Sequence, residues 1–264
     1  MKYIKLFFFL IILGLFFVFT IPLYPFLFFF RNRTRKSLNY IVTWTSTAWL
    51  KILGIKVRIN GTLDKTKNYL IVANHLSYLD ALIISSFLPS SFVTSLEVKS
   101  TSFLGHLTML SGCLFVNRKD KSKINLEILG LRDALLKNIN VTFFPEATST
   151  DGTAVIRFRK PLFEASIASG KPILPITINY QEVSSNKVSD KNRDSVFWYG
   201  EMTFFPHFMN LLKQSEVITE LVIHEPFTPE LYPVFELAEK AHQIISNSYK
   251  PILQEMRPNE IIKV

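Results

Sequence analysis

Residues 69–84 read YLIVANHLSYLDALII, and this stretch decides the fold expected for the rest of the chain. Its first five residues form a short apolar run that is typical of a buried strand, and Ala81 begins an apolar pattern with helical spacing. Asn74 and Ser77 lie between them and are residue types that favour turns and helix N-termini. The stretch therefore predicts a strand, a tight turn and a helix in succession.

A histidine and a carboxylate, His75 and Asp80, stand five positions apart in this turn. On one continuous helix their side chains would point about 140° apart, so a contact requires His75 before the helix and Asp80 in its first turn. In that geometry Asp80 accepts a hydrogen bond from Nδ1 of His75, and Nε2 is left to take a proton from a hydroxyl. We predict that His75 is a general base and that Asp80 orients it.

His75 has two other interpretations, a structural residue and a metal ligand. A lone histidine near a strand end is more often a hydrogen-bonded surface or core residue than a catalyst. A metal site is disfavoured because five residues is not a usual spacing for ligands and no HExxH pattern occurs in the chain. We expect no metal ion, and the other histidines are scattered along the sequence: His106, His207, His224 and His242.

Three further apolar runs predict strands, at residues 112–118, 140–144 and 170–177. The first ends at Arg118, and the second leads into the polar turn Pro145-Glu146-Ala147-Thr148. An amphipathic pattern over 125–137 predicts a helix between two of these runs. Strands that alternate with helices favour an α/β fold with a central, mainly parallel or mixed sheet flanked by helices.

In order and spacing, these four segments resemble the four sequence blocks of the glycerolipid acyltransferase family, typified by the lysophosphatidic acid acyltransferases. The resemblance covers about residues 50–180. It rests on the following residues: Asn74, His75 and Asp80; Gly112, Phe115 and Arg118; Phe144, Pro145, Glu146 and Thr148; Pro172 and Pro175. It implies a membrane-bound O-acyltransferase that moves a fatty acyl group from a thioester to a lysolipid hydroxyl, with 1-acyl-sn-glycerol-3-phosphate as the expected acceptor.

The same resemblance implies substrate-binding roles around the His75–Asp80 pair. Arg118, Glu146 and Thr148 would help to bind the acceptor head group, with Arg118 as the expected phosphate partner. Backbone amides near Asn74 or at the Ala147–Thr148 turn are candidate donors to the oxyanion that develops on the thioester carbonyl. The acyl donor, acyl-CoA or acyl carrier protein, is a co-substrate, and no cofactor is expected.

The third block departs from the family's usual FPEGTRS, because residues 144–150 read FPEATST. Ala147 replaces glycine and Ser149 replaces arginine, so a bidentate phosphate donor is missing. Three basic residues downstream either supply that charge or form an ordinary solvated run: Arg157, Arg159 and Lys160. Without the arginine, a lyso-ornithine lipid or another lysolipid is the alternative acceptor.

The segment 197–202, with Pro206 and His207, resembles bacterial family members that include lyso-ornithine lipid acyltransferases, and packing is favoured over catalysis for these residues.

The sequence leaves two functions open besides acyl transfer. A hydrolase would use the same His–Asp pair to activate water. A non-catalytic, membrane-anchored lipid-binding protein is the remote alternative, disfavoured because His75 and Asp80 are both present.

The N-terminus predicts a membrane anchor. Residues 6–30 carry no charge and are rich in phenylalanine, leucine and isoleucine, which is enough to span or enter a bilayer. The basic cluster at 31–36 then favours a catalytic domain on the cytoplasmic face of the membrane. The net charge of +9 indicates an anionic partner, and beside such an anchor this partner is a lipid surface or an anionic substrate rather than nucleic acid.

These patterns predict three parts: the anchor with its basic cluster at 1–36, an interfacial or packing helix at 37–56, and an α/β acyltransferase domain at 57–264. Residues 38–53 carry Tyr40, Trp44 and Trp49, which favours the headgroup level of a membrane. A polar surface loop is expected at 181–194 and a terminal helix at 233–249. Cys113 is the only cysteine, so no intrachain disulfide forms.

Overall fold

The computed structural model describes residues 1–117 and 120–252. A single eight-stranded sheet lies at the centre of this described part of the chain. Its strands are β1 Ile55–Asn60, β2 Leu70–Ala73, β3 Ser90–Ser95, β4 Leu114–Val116, β5 Asn140–Phe143, β6 Ile173–Val183, β7 Asn186–Lys187 and β8 Val217–Ile223. Their order across the sheet is β1-β8-β6-β2-β5-β3-β4, and β7 pairs with β6.

The sheet is mixed and mainly parallel. Only the pairings of β6 with β7 and β8 are antiparallel among the described strands. β2 is a central strand, since it pairs in parallel with β5 on one side and β6 on the other. The segment that follows β2 therefore leaves the sheet at the edge where β5 also ends, because the carboxyl ends of parallel strands meet there.

Helices cover both faces of the sheet, which confirms the predicted α/β class. They are α1 Lys2–Thr20, α2 Phe26–Phe29, α3 Arg31–Leu53, α4 Leu79–Phe87, α5 Leu96–Lys99, α6 Ser102–Leu110, α7 Ile124–Leu136, α8 Glu164–Ser169, α9 Phe204–Leu211 and α10 Val234–Ser248. Apolar side chains from α3, α4 and α9 fill the core on one face. Those from α7, α8 and α10 fill the core on the other.

The N-terminal helix packs on the domain. α1 and a following turn, Lys2–Leu23, are long and apolar enough to cross a membrane by length and composition. Yet Phe9 stacks on Trp49 with ring centroids 5.1 Å apart. The ammonium of Lys5 donates to the carbonyl oxygens of Leu53 at 2.7 Å and Gln214 at 2.8 Å. One face of α1 is thus fixed to α3 and the domain, and the opposite face is exposed.

One expected boundary lies inside a helix. α3 begins at Arg31, so the predicted division at residue 36 falls inside one continuous helix. Arg35 of the basic cluster is buried, and its Nε donates to the carbonyl of Gly112 at 3.0 Å. Arg35 is thus held inside the protein, while Arg31, Arg33 and Lys36 stay exposed on the same helix.

Residues 38–53 lie within α3, which has a packed face and an exposed face. Trp49 is buried against α1, whereas Tyr40 and Trp44 are exposed. The surface loop expected at 181–194 is only partly a loop. β6 continues to Val183 and turns back as β7, because Glu182 and Val183 pair with residues 187 and 186. The helices predicted at 125–137 and 233–249 correspond to α7 and α10.

Candidate active site

His75 and Asp80 meet at the end of β2 in the geometry that their spacing requires. His75 lies in the turn after the strand, and Asp80 lies in the first turn of α4. Nδ1 of His75 is 2.9 Å from Oδ2 of Asp80. The imidazole side chain is 20% exposed and the carboxylate is fully buried. Nδ1 is thereby engaged inside the protein, and Nε2 is the ring nitrogen left for a substrate.

Asp80 accepts hydrogen bonds from four groups. On Oδ2, the His75 ring is joined by the backbone N–H groups of Leu76 at 2.6 Å and Ser77 at 2.9 Å. On Oδ1, the hydroxyl of Tyr180 donates at 2.8 Å. A buried carboxylate is costly unless it is hydrogen-bonded in this way. The four donors fix the carboxylate, which in turn holds Nδ1 of the imidazole.

Glu146 ties the loop after β5 to the catalytic turn. Its Oε1 accepts from the backbone N–H of His75 at 2.7 Å, and its Oε2 accepts from that of Ile156 at 3.1 Å. Burial raises the pKa of the carboxyl to about 7, against the opposing effect of these two hydrogen bonds. The side chain is buried and both of its oxygens hold backbone, and the substrate contact expected for Glu146 stays a prediction.

Asn74 also holds backbone through its side chain, and the substrate contact expected near it stays a prediction. Its amide Nδ2 donates to the carbonyl of Ile178 at 3.0 Å, and its Oδ1 accepts from the N–H of the same residue at 2.8 Å. The side chain is buried. Asn74 extends the β2–β6 pairing beyond the strand and fixes the start of the turn.

The Ala147–Thr148 turn is strained and exposed. Ala147 has φ of 62°, in the left-handed region where a side chain costs about 1 kcal/mol or more. Glycine adopts this conformation freely, which explains the glycine that the third block usually carries. The N–H of Ala147 donates to the carbonyl of Phe144 at 3.0 Å, so this amide is not free for an oxyanion. Thr148 is exposed, and no hydrogen bond of its N–H is found within residues 1–117 and 120–252.

An apolar cavity of about 560 Å³ adjoins the pair. Phe144 lines it and stacks on the His75 ring, with centroids 4.0 Å apart and planes 8° apart. Three basic side chains stand on its wall beside Ala147: Arg157, Arg159 and Lys160. Lys160 has a partner, Glu239, at 3.3 Å. No ion pair of Arg157 or Arg159 is found in the part of the chain that the structure describes, so their charge is open to an anionic ligand.

Ser149, at the position of the family's arginine, holds a second loop. Its hydroxyl donates to the carbonyl of Trp198, whose own N–H donates to the carbonyl of Leu76 at 2.9 Å. Phe197 is buried and packs edge-on to Tyr180 with ring centroids 5.3 Å apart. The packing role predicted for residues 197–202 agrees with these contacts for Phe197 and Trp198.

Arg118, the expected phosphate partner, lies outside the described residues. Among those that are described, no group of three or more histidine, cysteine, aspartate or glutamate side chains could hold a metal ion. Sequence reasoning did not find Tyr180, which contacts Asp80, or Ile156, which contacts Glu146. Both residues lie in apolar surroundings in the sequence, and no motif marked them.

Comparison with known proteins finds similarity to acyltransferases. Residues 54–179 match the family model described as "Acyltransferase". The chain is 29% identical over 184 residues to the lyso-ornithine lipid O-acyltransferase of Rhizobium meliloti, which covers 65% of this chain and 63% of that protein. It is 32% identical over 155 residues to the 1-acyl-sn-glycerol-3-phosphate acyltransferase of Neisseria meningitidis, with 58% and 61% covered. The match thus spans less than two thirds of either relative.

A solved structure shows the same fold. The 1-acyl-sn-glycerophosphate acyltransferase PlsC from Thermotoga maritima superposes with a TM-score of 0.65, over 94% of this chain and 96% of that one. The two sequences are 19% identical, so this similarity speaks for the fold alone. In sequence, residues 54–179 of the chain are similar to the acyltransferase family.

Proposed function

We propose that the protein is a membrane-bound O-acyltransferase that transfers a fatty acyl group from an acyl thioester to a lysolipid hydroxyl. The observation that carries the proposal is the 2.9 Å contact between Nδ1 of His75 and the fully buried carboxylate of Asp80. An imidazole held in this way has a fixed tautomer and a free Nε2, which is what a general base for a hydroxyl requires.

In the proposed reaction, Nε2 of His75 takes the proton of the acceptor hydroxyl as its oxygen attacks the thioester carbonyl. The carbon–sulfur bond then breaks, and the protonated imidazole returns its proton to the leaving thiolate. Asp80 stabilises the transient imidazolium, and no acyl-enzyme is formed. The exposed backbone N–H of Thr148 is the candidate donor to the oxyanion, since that of Ala147 is already bonded.

The cavity beside Phe144 supports an acceptor with an apolar chain and an anionic head group. Its wall is largely apolar, and the guanidinium groups of Arg157 and Arg159 are arranged beside it. We propose 1-acyl-sn-glycerol-3-phosphate as the acceptor, with Arg118 as an additional phosphate donor. A lyso-ornithine lipid is the second candidate, favoured by Ser149, whose side chain is engaged with Trp198 in place of a phosphate-binding arginine.

The exposed apolar face of α1 supports membrane association. We propose that the domain works on the cytoplasmic face, because Arg31, Arg33 and Lys36 are exposed directly after the apolar segment. Acyl-CoA or acyl carrier protein is the proposed donor. Both are anionic and suit a chain with a net charge of +9.

The activity is tested by incubating the detergent-solubilised protein with a radiolabelled acyl thioester and a panel of lysolipids. We expect a labelled diacyl product with the wild type and with His106→Ala, an exposed histidine on α6, and almost none with His75→Ala. Free fatty acid as the main product would identify a hydrolase. No turnover of any thioester would leave lipid binding as the function.

The acceptor is tested with lysophosphatidic acid and lyso-ornithine lipid side by side. Arg157→Ala and Arg159→Ala should each raise the acceptor KM and so lower kcat/KM for the true acceptor. The loss should correspond to about 1.5–3 kcal/mol of transition-state stabilisation, the range for a hydrogen bond to a charged group. Lys187→Ala, an exposed cation on β7, is the matched control. Unchanged kinetics in both arginine variants would remove these residues from the acceptor site.

A further inference from the structure

Tyr180 lies on β6, one residue beyond the segment that matches the family model. Its ring is buried in the core, yet its hydroxyl reaches the catalytic carboxylate and donates to Oδ1 of Asp80 at 2.8 Å. The other three donors to Asp80 all approach Oδ2. Tyr180 is therefore the donor that occupies the second oxygen of this carboxylate.

β6 holds the catalytic turn at both ends. The backbone of Ile178 pairs with the side chain of Asn74 before His75, and the side chain of Tyr180 binds Asp80 after it. The register of β6 against β8 shifts between Tyr180 and Glu182. Such a bulge twists a strand locally and is a means of directing one side chain. The irregularity directly follows the residue whose hydroxyl meets Asp80.

A donor on Oδ1 affects the imidazole through the carboxylate. It draws negative charge away from Oδ2, which faces Nδ1 of His75, and it restricts rotation of the carboxylate plane. Burial, followed by the charge of Asp80, raises the pKa of Tyr180 well above its ordinary value. The phenol thus remains protonated, and remains a donor, throughout the working pH range.

We propose that Tyr180 is a positioning residue for acyl transfer, which fixes the Asp80 carboxylate from its second oxygen and thereby sets the basicity of His75. The inference rests on the proposed function, because it assigns Tyr180 to the same general base. Tyr180 touches neither substrate in this role. It acts on the reaction only through Asp80.

Other titratable groups surround the pair and bear on any test by pH. Glu146 has a pKa of about 7 and feels the charge of Asp80. Tyr78 faces Tyr180, and Tyr249 faces both Glu146 and Asp80. The hydroxyl of Tyr249 donates to the carbonyl of Gly152 at 2.8 Å rather than to Asp80. Tyr249→Phe is therefore the matched control, since it removes a buried phenol beside the same carboxylates without removing the hydrogen bond to Asp80.

The first measurement is the pH profile of kcat/KM for acyl transfer by the full-length protein. Tyr180→Phe leaves more charge on Oδ2 and so favours the protonated imidazole. We expect the acid limb to move to higher pH by about half to one unit, which is a loss of about three- to tenfold on that limb. Tyr249→Phe should leave the limb in place. If kcat/KM of Tyr180→Phe falls equally at every pH and the acid limb does not move, Tyr180 is only a packing residue.

The second measurement does not depend on activity. Diethyl pyrocarbonate modifies neutral imidazole, and the rate at His75, followed by peptide mass spectrometry against pH, reports its protonation. Tyr180→Phe should raise the pH midpoint of modification at His75. 3-Fluorotyrosine at position 180 is a stronger hydrogen-bond donor of similar shape and should lower this midpoint. The fluorotyrosine protein also provides the test if the phenylalanine variant does not fold.

The two readouts separate the inference from the proposed function. Suppose the wild type has no transferase activity, yet the pH midpoint of His75 modification rises in Tyr180→Phe and falls in the fluorotyrosine protein. This result would refute the acyl transfer and preserve the link from Tyr180 to His75. Equal midpoints in the wild type, Tyr180→Phe and the fluorotyrosine protein would overturn the inference even in a fully active transferase. Equal shifts in Tyr180→Phe and Tyr249→Phe would overturn it as well, because the effect would not belong to the Asp80 hydrogen bond.

Discussion

His75 is held at three points by two parts of the chain, the first turn of α4 and the segment after β5. Asp80 binds Nδ1, Phe144 stacks on the ring face, and Glu146 accepts from the backbone N–H. Each contact removes a freedom that the side chain would otherwise have. A base that is held before the substrate arrives loses little entropy in the reaction itself.

We predict that His75→Ala lowers kcat/KM for acyl transfer by about 10²- to 10⁴-fold, the usual contribution of a positioned general base. The protein should remain folded and membrane-bound, because the ring is partly exposed and its removal leaves the hydrophobic core intact. Asp80→Asn should cost less but still much, since it favours the wrong tautomer. Circular dichroism and membrane flotation check the folding, and a loss under tenfold for His75→Ala would contradict the assignment.

The raised pKa of Glu146 predicts that the free energy of unfolding depends on pH. Burial raises the pKa of its carboxyl from 4.5 to about 7 in the folded protein. Between these values the folded state binds more protons than the unfolded state, so stability decreases as the pH rises. The full shift corresponds to a change on the order of 3 kcal/mol in the free energy of unfolding. This contribution is present below about pH 4.5 and is lost above pH 7.

The prediction is measured as the thermal midpoint between pH 5 and 7.5. Glu146→Gln, which cannot titrate, should remove most of the decrease seen in the wild type, although it lowers stability overall by placing an amide donor against a backbone N–H. Glu164→Gln is a suitable control, because this glutamate is exposed on α8. A wild-type midpoint that rises over this range would contradict the raised pKa.

At the scale of elements, α1 and α3 form a hairpin with two different faces. Phe16 is 1% exposed and packs against Trp49 of α3, while Phe19 is 52% exposed. An anchor that served only to hold the protein near a membrane would not need the buried face. The hairpin therefore contributes to the stability of the domain as well as to membrane association.

A pair of substitutions separates these two roles. Phe16→Ala should lower the stability of the detergent-solubilised protein by on the order of 3 kcal/mol, because it leaves a cavity between the helices. Phe19→Ala should leave the thermal midpoint nearly unchanged and weaken binding to lipid vesicles. Thermal unfolding and vesicle flotation measure the two effects. Equal destabilisation by both variants would mean that α1 has no outer face.

At the scale of the whole molecule, the topology of the sheet creates the site. β2 lies between β5 and β6, so the turn of His75, the loop of Glu146 and the side chain of Tyr180 converge at one edge. The apolar face of α1 and the exposed cations of α3 belong to the same body. Membrane association and the candidate chemistry are thus coupled within one domain.

The net charge of +9 predicts salt-dependent membrane binding. Raising the salt concentration from 0.1 to 1 M shortens the Debye length from about 10 to about 3 Å, which screens attraction to anionic headgroups. Flotation with anionic vesicles should decrease but persist, since the apolar face of α1 is unaffected by screening. Neutral vesicles should bind the protein less well and without salt dependence. Complete release from anionic vesicles at high salt would contradict an apolar anchor.

The sequence by itself determined the local features of the protein. The run 69–84 specified a strand, a turn and a helix, and the spacing of His75 and Asp80 then left one geometry in which they touch. β3 was not predicted, because its buried Ser90 and Ser91 satisfy their hydroxyls on Thr142 and Asn39, and such partners are invisible to a hydrophobic pattern.

Only the tertiary structure decided which residues support the catalytic pair. The side chains of Asn74 and Glu146 are buried and hold backbone, because the turn takes partners from β6 and from the loop after β5. Tyr180 reaches Asp80 across 100 positions of sequence. Local patterns encode which segments become strands and helices, whereas the contacts between those segments depend on strand order, which no single segment specifies.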